Sequence, residues 1–245
     1  MGNYLSTYLS NYIKNIIYPG KHSSCDLDYN QLYRIPRKEP ENVEDNIPIE
    51  KQISFIFLKN QDLGEDCKNL VIYFHGNSEN ACDPMEKLKK INRELKTHSC
   101  IVEYSGYGIF HKKTEISPKL IEKDSKVVFD FLTKEVGFKD ENIMIIGRSI
   151  GTGPAMYLAS KRQKIKMLTL ISPFTSVLQL VKDKYWFYSE DFFNILTKKI
   201  KDDFKNIDLI EQVKCPILMI HGKKDWVINI KHSIELAKKP NEIMV

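Results

Sequence analysis

The chain has 245 residues, 42% hydrophobic and 28% charged. That is enough apolar material for one sizeable core, and it favours a single α/β domain over two small ones. The formal charge of +5 is spread over lysines interleaved with acids, with no basic aromatic stripe, so nucleic acid is not an expected partner. No run approaches the roughly 20 apolar residues of a membrane span, and the opening residues lack the basic-then-apolar pattern of a secretory leader. The cysteines (Cys25, Cys67, Cys82, Cys100, Cys215) are odd in number with no CxxC spacing, and they read as reduced thiols.

In chain order, "MGNYLS" fits the N-myristoylation pattern, with Gly2 as acceptor once Met1 is removed. Tyr4, Leu5, Tyr8, Leu9, Tyr12, Ile13, Ile16 and Ile17 form two adjacent i, i+4 rows, opposite a polar face. Residues 1–20 are therefore expected as an amphipathic membrane-anchoring helix. One acyl chain anchors weakly, and the helix would be its second signal. The alternative is that this helix packs on the domain's own surface. Residues 21–50, polar and carrying Pro36, Pro40 and Pro48, read as a linker or irregular lead-in.

The domain is expected over 51–245. Strands are predicted at 53–58, 69–74, 100–104, 142–147, 166–171 and 216–220, and helices at 84–97, 117–136, 150–161 and 230–239. This alternation implies a mostly parallel sheet with helices on both faces. Residues 173–214 break the rhythm. They are rich in aromatics (Phe174, Tyr185, Trp186, Phe187, Tyr188, Phe192, Phe193, Phe204) and read as a helical excursion over the C-terminal edge of the sheet. Both a mobile cap and a packed insertion fit.

Three motifs carry chemistry. Gly147-Arg148-Ser149-Ile150-Gly151 is G-x-S-x-G between a strand and a helix, the context in which this motif forms a nucleophile elbow. Side chains at Gly147 and Gly151 would collide with neighbouring backbone. The Ile150 N–H, in the first helical turn, is available to an oxyanion. A phosphate-binding turn is the competing reading, but G-x-G-x-x-G and the Walker lysine are missing. In "YFHGNSEN" (73–80) a strand runs into His75-Gly76-Asn77, and Asn77 is the expected second oxyanion amide. His75 reads as a structural hydrogen-bonder. In "PILMIHGKKDWVI" (216–228) a strand ends just before His221-Gly222, and Asp225 beyond it is the expected acid that orients a catalytic histidine.

Taken with "VEYSGYG" and "LISPFTS", these segments resemble the membrane-anchored serine hydrolases of the alpha/beta hydrolase domain-containing protein 17 group and the related Bem46-like group, over roughly 50–245. The resemblance implies the α/β-hydrolase fold and hydrolysis of a fatty acyl thioester on protein cysteine, with Ser149 as nucleophile and Asp225 as acid. It implies S-acylated proteins or acyl esters as substrate, at the cytoplasmic face of a membrane. Members are anchored through acylated cysteines. This chain has no cysteine before Cys25, so its anchoring would rest on Gly2 and the helix. Ile109, Phe110 and His111 replace the small residues usual after "YSGYG". No metal or organic cofactor is expected.

The resemblance places the catalytic histidine after the last strand, five to ten residues beyond Val245. "NEIMV" (241–245) reads as the start of that strand, so the last strand and terminal helix are expected to be incomplete here. Of His22, His75, His98, His111, His221 and His232, His232 and His111 are the substitutes considered. Two other functions stay open: a catalytically silent hydrolase-like scaffold, and a soluble esterase or peptidase on the same fold.

Overall fold

The computed structural model describes residues 31–37, 48, 51–63, 67–108, 116–184, 202–239 and 243–244. Gly2 with the 1–20 helix, His22, Cys25, residues 109–111 and the aromatics of 185–193 lie outside the described residues.

The strands are β1 (Leu32–Pro36), β2 (Gln52–Leu58), β3 (Leu70–Phe74), β4 (His98–Val102), β5 (Ile143–Arg148), β6 (Met167–Ile171), β7 (Ile217–Ile220) and β8 (Ile243–Met244). They form one sheet in the order β1-β2-β4-β3-β5-β6-β7-β8. The β1–β2 and β2–β4 pairings are antiparallel and all others parallel. β1 falls inside the segment read as a lead-in. Its five residues pair along β2 at the sheet edge, where Pro36 is tolerated at the strand end.

The helices are α1 (Met85–Leu95), α2 (Pro118–Lys134), α3 (Thr152–Lys161), α4 (Val177–Lys184), α5 (Asn206–Leu209) and α6 (Lys231–Ala237). α2 starts where its sequence dictates: the Ser117 hydroxyl caps the Leu120 N–H and proline follows at the first helical position. β3 is buried throughout. Its Leu70, Ile72 and Phe74 join Val128, Phe129, Ala155 and Met156 of α2 and α3 in one core. Its Val71 and Tyr73 join Leu88 of α1 in a second core on the opposite face. Helices therefore cover both faces. The chain leaves β3 for β4 on one side and returns to β5 on the other, so β3–β5 is the switch point outside whose carboxyl ends such sheets bind ligands.

Where described, the excursion holds α4, α5 and a 3₁₀ turn at Ile210–Gln212, joined by irregular chain. Phe174 and Phe204 are buried in the main core, and a side chain at Gly153 would strike the Phe204 ring at 2.4 Å. These two aromatics are packing residues, so this part of 173–214 is an insertion seated on α3.

Cys67, Cys100 and Cys215 are free, and burial pushes the Cys215 thiol up to about 11. Cys82 is joined in a disulfide, contrary to the reduced state expected for all five. Sequence spacing does not report which thiols the fold brings within bridging distance.

Candidate active site

The site is built from the turns that follow four neighbouring strands. In register, Phe74 pairs with Gly147, Arg148 with Ile171, and Ile171 with Ile220. Ser149, Ser172 and His221 are each the next residue, so they stand side by side at the carboxyl edge of the sheet. The loop 75–80 leaves the same edge beside them.

Ser149 begins a 3₁₀ turn, Ser149–Gly151, that leads into α3, and its φ is +52°. An L-residue reaches that region at a cost of roughly 1–2 kcal/mol. Close packing enforces it. A Cβ at Gly147 would lie 2.6 Å from Gly151 O and 2.7 Å from Ala155 Cβ. One at Gly151 would lie 2.3 Å from Phe74 O and 2.7 Å from His75 O. The elbow is thus pressed against the end of β3, and the Thr152 hydroxyl locks it by donating to Ser149 O at 2.7 Å. Ile150 is buried, with its N–H in the first turn, where helical amides have no intrahelical acceptor.

Asp225 sits in the loop after β7. Its Oδ1 accepts from Val227 N–H at 2.9 Å and Ile228 N–H at 3.0 Å, and its Oδ2 accepts from the Ser172 hydroxyl at 3.0 Å. Partial burial works against the charge, but the amides of Ile228 and Val227, the Ser172 hydroxyl and nearby His221 outweigh it and hold the carboxyl below its usual range. Ser172 itself has φ +48°, although it precedes Pro173, where extended backbone is the norm. Sequence reasoning missed Ser172. Its position between a strand and a proline was the available signal, but nothing in the residue type reports a left-handed backbone.

Asn77 lies in the loop after β3, and the Tyr107 hydroxyl donates to its Oδ1. Burial, then the charge of Glu103, push the Tyr107 phenol well up, which keeps it a donor. His75 is fully buried. It stacks on Tyr104 with centroids 3.9 Å apart, its Nε2 is 3.1 Å from Glu103 Oε1, and its Nδ1–H reaches Gly76 O at 3.0 Å. With both ring nitrogens engaged, it braces the loop.

The other described histidines are also committed. His98 lies at the opposite end of the sheet and accepts from Asn60 N–H. His221 is 3.7 Å from Asp225 Oδ2, but its Nε2–H donates to Ile228 O at 2.8 Å and its Nδ1 is hydrogen-bonded with the Ser233 hydroxyl at 2.6 Å. His232 is buried between Thr175 and Asp183. Considered as a substitute base, it is engaged instead by those two partners. His111 lies outside the described residues. Among the described residues there is no group of His, Cys, Asp and Glu able to hold a metal.

The model of the prolyl oligopeptidase family matches residues 121–241, which hold both the elbow and Asp225. The chain belongs to the α/β-hydrolase superfamily. This hydrolase-fold chain is 31% identical over 169 residues to alpha/beta hydrolase domain-containing protein aho-3 of Caenorhabditis elegans, covering 69% of the chain and 47% of the relative. It is 28% identical to human alpha/beta hydrolase domain-containing protein 17B over 178 residues, covering 71% and 56%. Of solved structures, Est1E from Butyrivibrio proteoclasticus superposes with a TM-score of 0.59 at 15% identity, over 79% of this chain and 82% of that one. The α/β-hydrolase chain spans about half the length of these two curated relatives.

Proposed function

We infer that this protein is a serine hydrolase that cleaves acyl thioesters or esters through an acyl-enzyme on Ser149, with palmitoyl groups on protein cysteines as the substrate. The observation that carries the reading is the elbow: Ser149 at φ +52°, at the end of β5 and opening α3. The carboxylate of Asp225 lies across strand β6 from it. In the reaction, Ser149 Oγ attacks the acyl carbonyl as its proton passes to a histidine oriented by Asp225. The developing oxyanion takes hydrogen bonds from the N–H groups of Asn77 and Ile150. The histidine returns the proton to the departing thiolate, and water then releases the acid by the same steps. By the resemblance, that histidine follows the last strand.

A fatty acyl substrate suits the rim, where Trp226 (93% exposed) and Val227 stand beside Asp225. Work at the cytoplasmic face of a membrane, through acylated Gly2 and the helix 3–17, belongs to the same proposal. A fluorophosphonate probe is expected to label the full-length protein and to fail on Ser149→Ala. A Gly2→Ala variant that stayed with membranes would remove the anchor from the proposal. The histidine contacts favour a second reading, a silent hydrolase-like scaffold. It predicts no labelling of the folded wild type, the result that would sink the enzyme.

A further inference from the structure

The loop after β3 and the elbow come from different strands, yet the proposed chemistry needs the amides of Asn77 and Ile150 to converge on one oxygen. We propose that Glu79 and Arg148 form a clamp that sets this convergence, acting as positioning residues for the oxyanion hole. The inference rests on the hydrolase reading above.

Glu79 Oε2 accepts from Gly76 N–H at 2.7 Å, and Glu79 N–H donates to Gly76 O at 3.1 Å. These two bonds close a ring around Asn77 and Ser78. The other carboxylate oxygen, Oε1, is ion-paired with Arg148 Nη1. Arg148 immediately precedes Ser149. A single carboxylate therefore ties the amide before Asn77 to the residue before the nucleophile. Gly76 is fitted to the arrangement, because a Cβ there would lie 3.1 Å from Glu79 Oε2 and 3.2 Å from Arg148 Nη1.

The side chains of Arg148 and Glu79 are 40% and 21% exposed, so a pair of this kind adds little to global stability. Position is where it counts. Oxyanion donors work by being aimed in advance, and misplacement by a fraction of an ångström weakens them at the transition state more than in the bound substrate. An ordinary surface ion pair would bond only its opposite charge. This one spends its second oxygen on a backbone N–H in the loop that must be aimed.

The test uses the full-length protein, with turnover of a short-chain nitrophenyl thioester or ester and the rate of fluorophosphonate labelling. Glu79→Ala, which removes the acceptor of Gly76 N–H, and Glu79→Asp, too short to span both partners, are expected to lower kcat by roughly tenfold, less than the roughly 100-fold or more of deleting a donor outright. KM should stay within about twofold, and the urea midpoint should be nearly unchanged. The exchange Glu79→Arg with Arg148→Glu restores an ion pair but not an acceptor for Gly76 N–H, so it is expected to stay impaired. Arg148→Gln, which keeps the Glu79–Gly76 ring, is expected to lose less, roughly threefold, and guards against a misfolded Glu79 variant. Wild-type kcat in Glu79→Ala, or full recovery in the exchanged pair, overturns the clamp. An unlabelled wild type overturns the hydrolase reading instead.

Discussion

Gly151→Ala is the sharpest probe of the elbow, because what the added methyl meets cannot move cheaply. The new Cβ would lie 2.3 Å from Phe74 O, 2.6 Å from Phe74 C and 2.7 Å from His75 O. All three are backbone atoms at the end of β3, which is hydrogen-bonded on both sides within the sheet. Relief requires a shift of roughly 0.7–1 Å, by the elbow or by the centre of the sheet, and overpacking of this kind costs about 1–3 kcal/mol when side chains can yield. With backbone on the far side, the upper end applies, about 3 kcal/mol. At a urea slope of roughly 2 kcal/mol/M that lowers the midpoint by about 1.5 M. Gly222→Ala is the control. Its Cβ would have Asp225 Cβ at 3.9 Å as nearest neighbour, so it should stay within about 0.5 kcal/mol of the parent. Urea denaturation followed by far-ultraviolet circular dichroism measures both. If Gly151→Ala kept the parental midpoint and cooperativity, the close contact of elbow and β3, and the strain argument for Ser149, would be wrong.

Two further outcomes are expected. Tyr107→Phe removes the hydroxyl that holds the Asn77 side chain and should lower stability by about 1 kcal/mol. On the proposed mechanism it should also reduce kcat more than it raises KM, as steady-state kinetics would show. His232 supplies a pH dependence. Burial holds its imidazole below the usual value, against the opposing charge of Asp183, while Lys231 and His221 add to the depression and Glu235 offsets it. The unfolded chain therefore binds this proton more readily. The resulting stability is complete above about pH 6.5 and is lost as pH falls through the folded-state value, at no more than about 1.4 kcal/mol per pH unit. Urea midpoints at pH 7.5 and 5.5 should differ less in His232→Asn than in the parent; an equal difference would refute the assignment.

Most of the scaffold was legible from local pattern. Runs such as "NLVIYF" and the helical spacing of 117–136 report burial directly, because a strand covered on both faces must be apolar throughout and a covering helix apolar on one stripe. The glycines at 147 and 151 were legible too, since the elbow's geometry leaves no room for a Cβ. β1 was not. Its five residues, LYRIP, are short, end in a proline and sit inside an otherwise polar segment, and an edge strand is made by its partner as much as by its own composition.

What the sequence by itself determined is therefore the alternation of elements, the elbow and the order of the motifs along the chain. The tertiary structure alone decided which distant groups meet. It set the Ser172 hydroxyl on Asp225 and gave Glu79 both Gly76 and Arg148. It turned His75, His221 and His232 inward onto Glu103, Ile228 and Asp183. The reason is physical. Periodicity encodes which face of an element is buried, whereas the partner of a buried polar group is chosen by sheet order and register, which bring together side chains as far apart in sequence as 79 and 148.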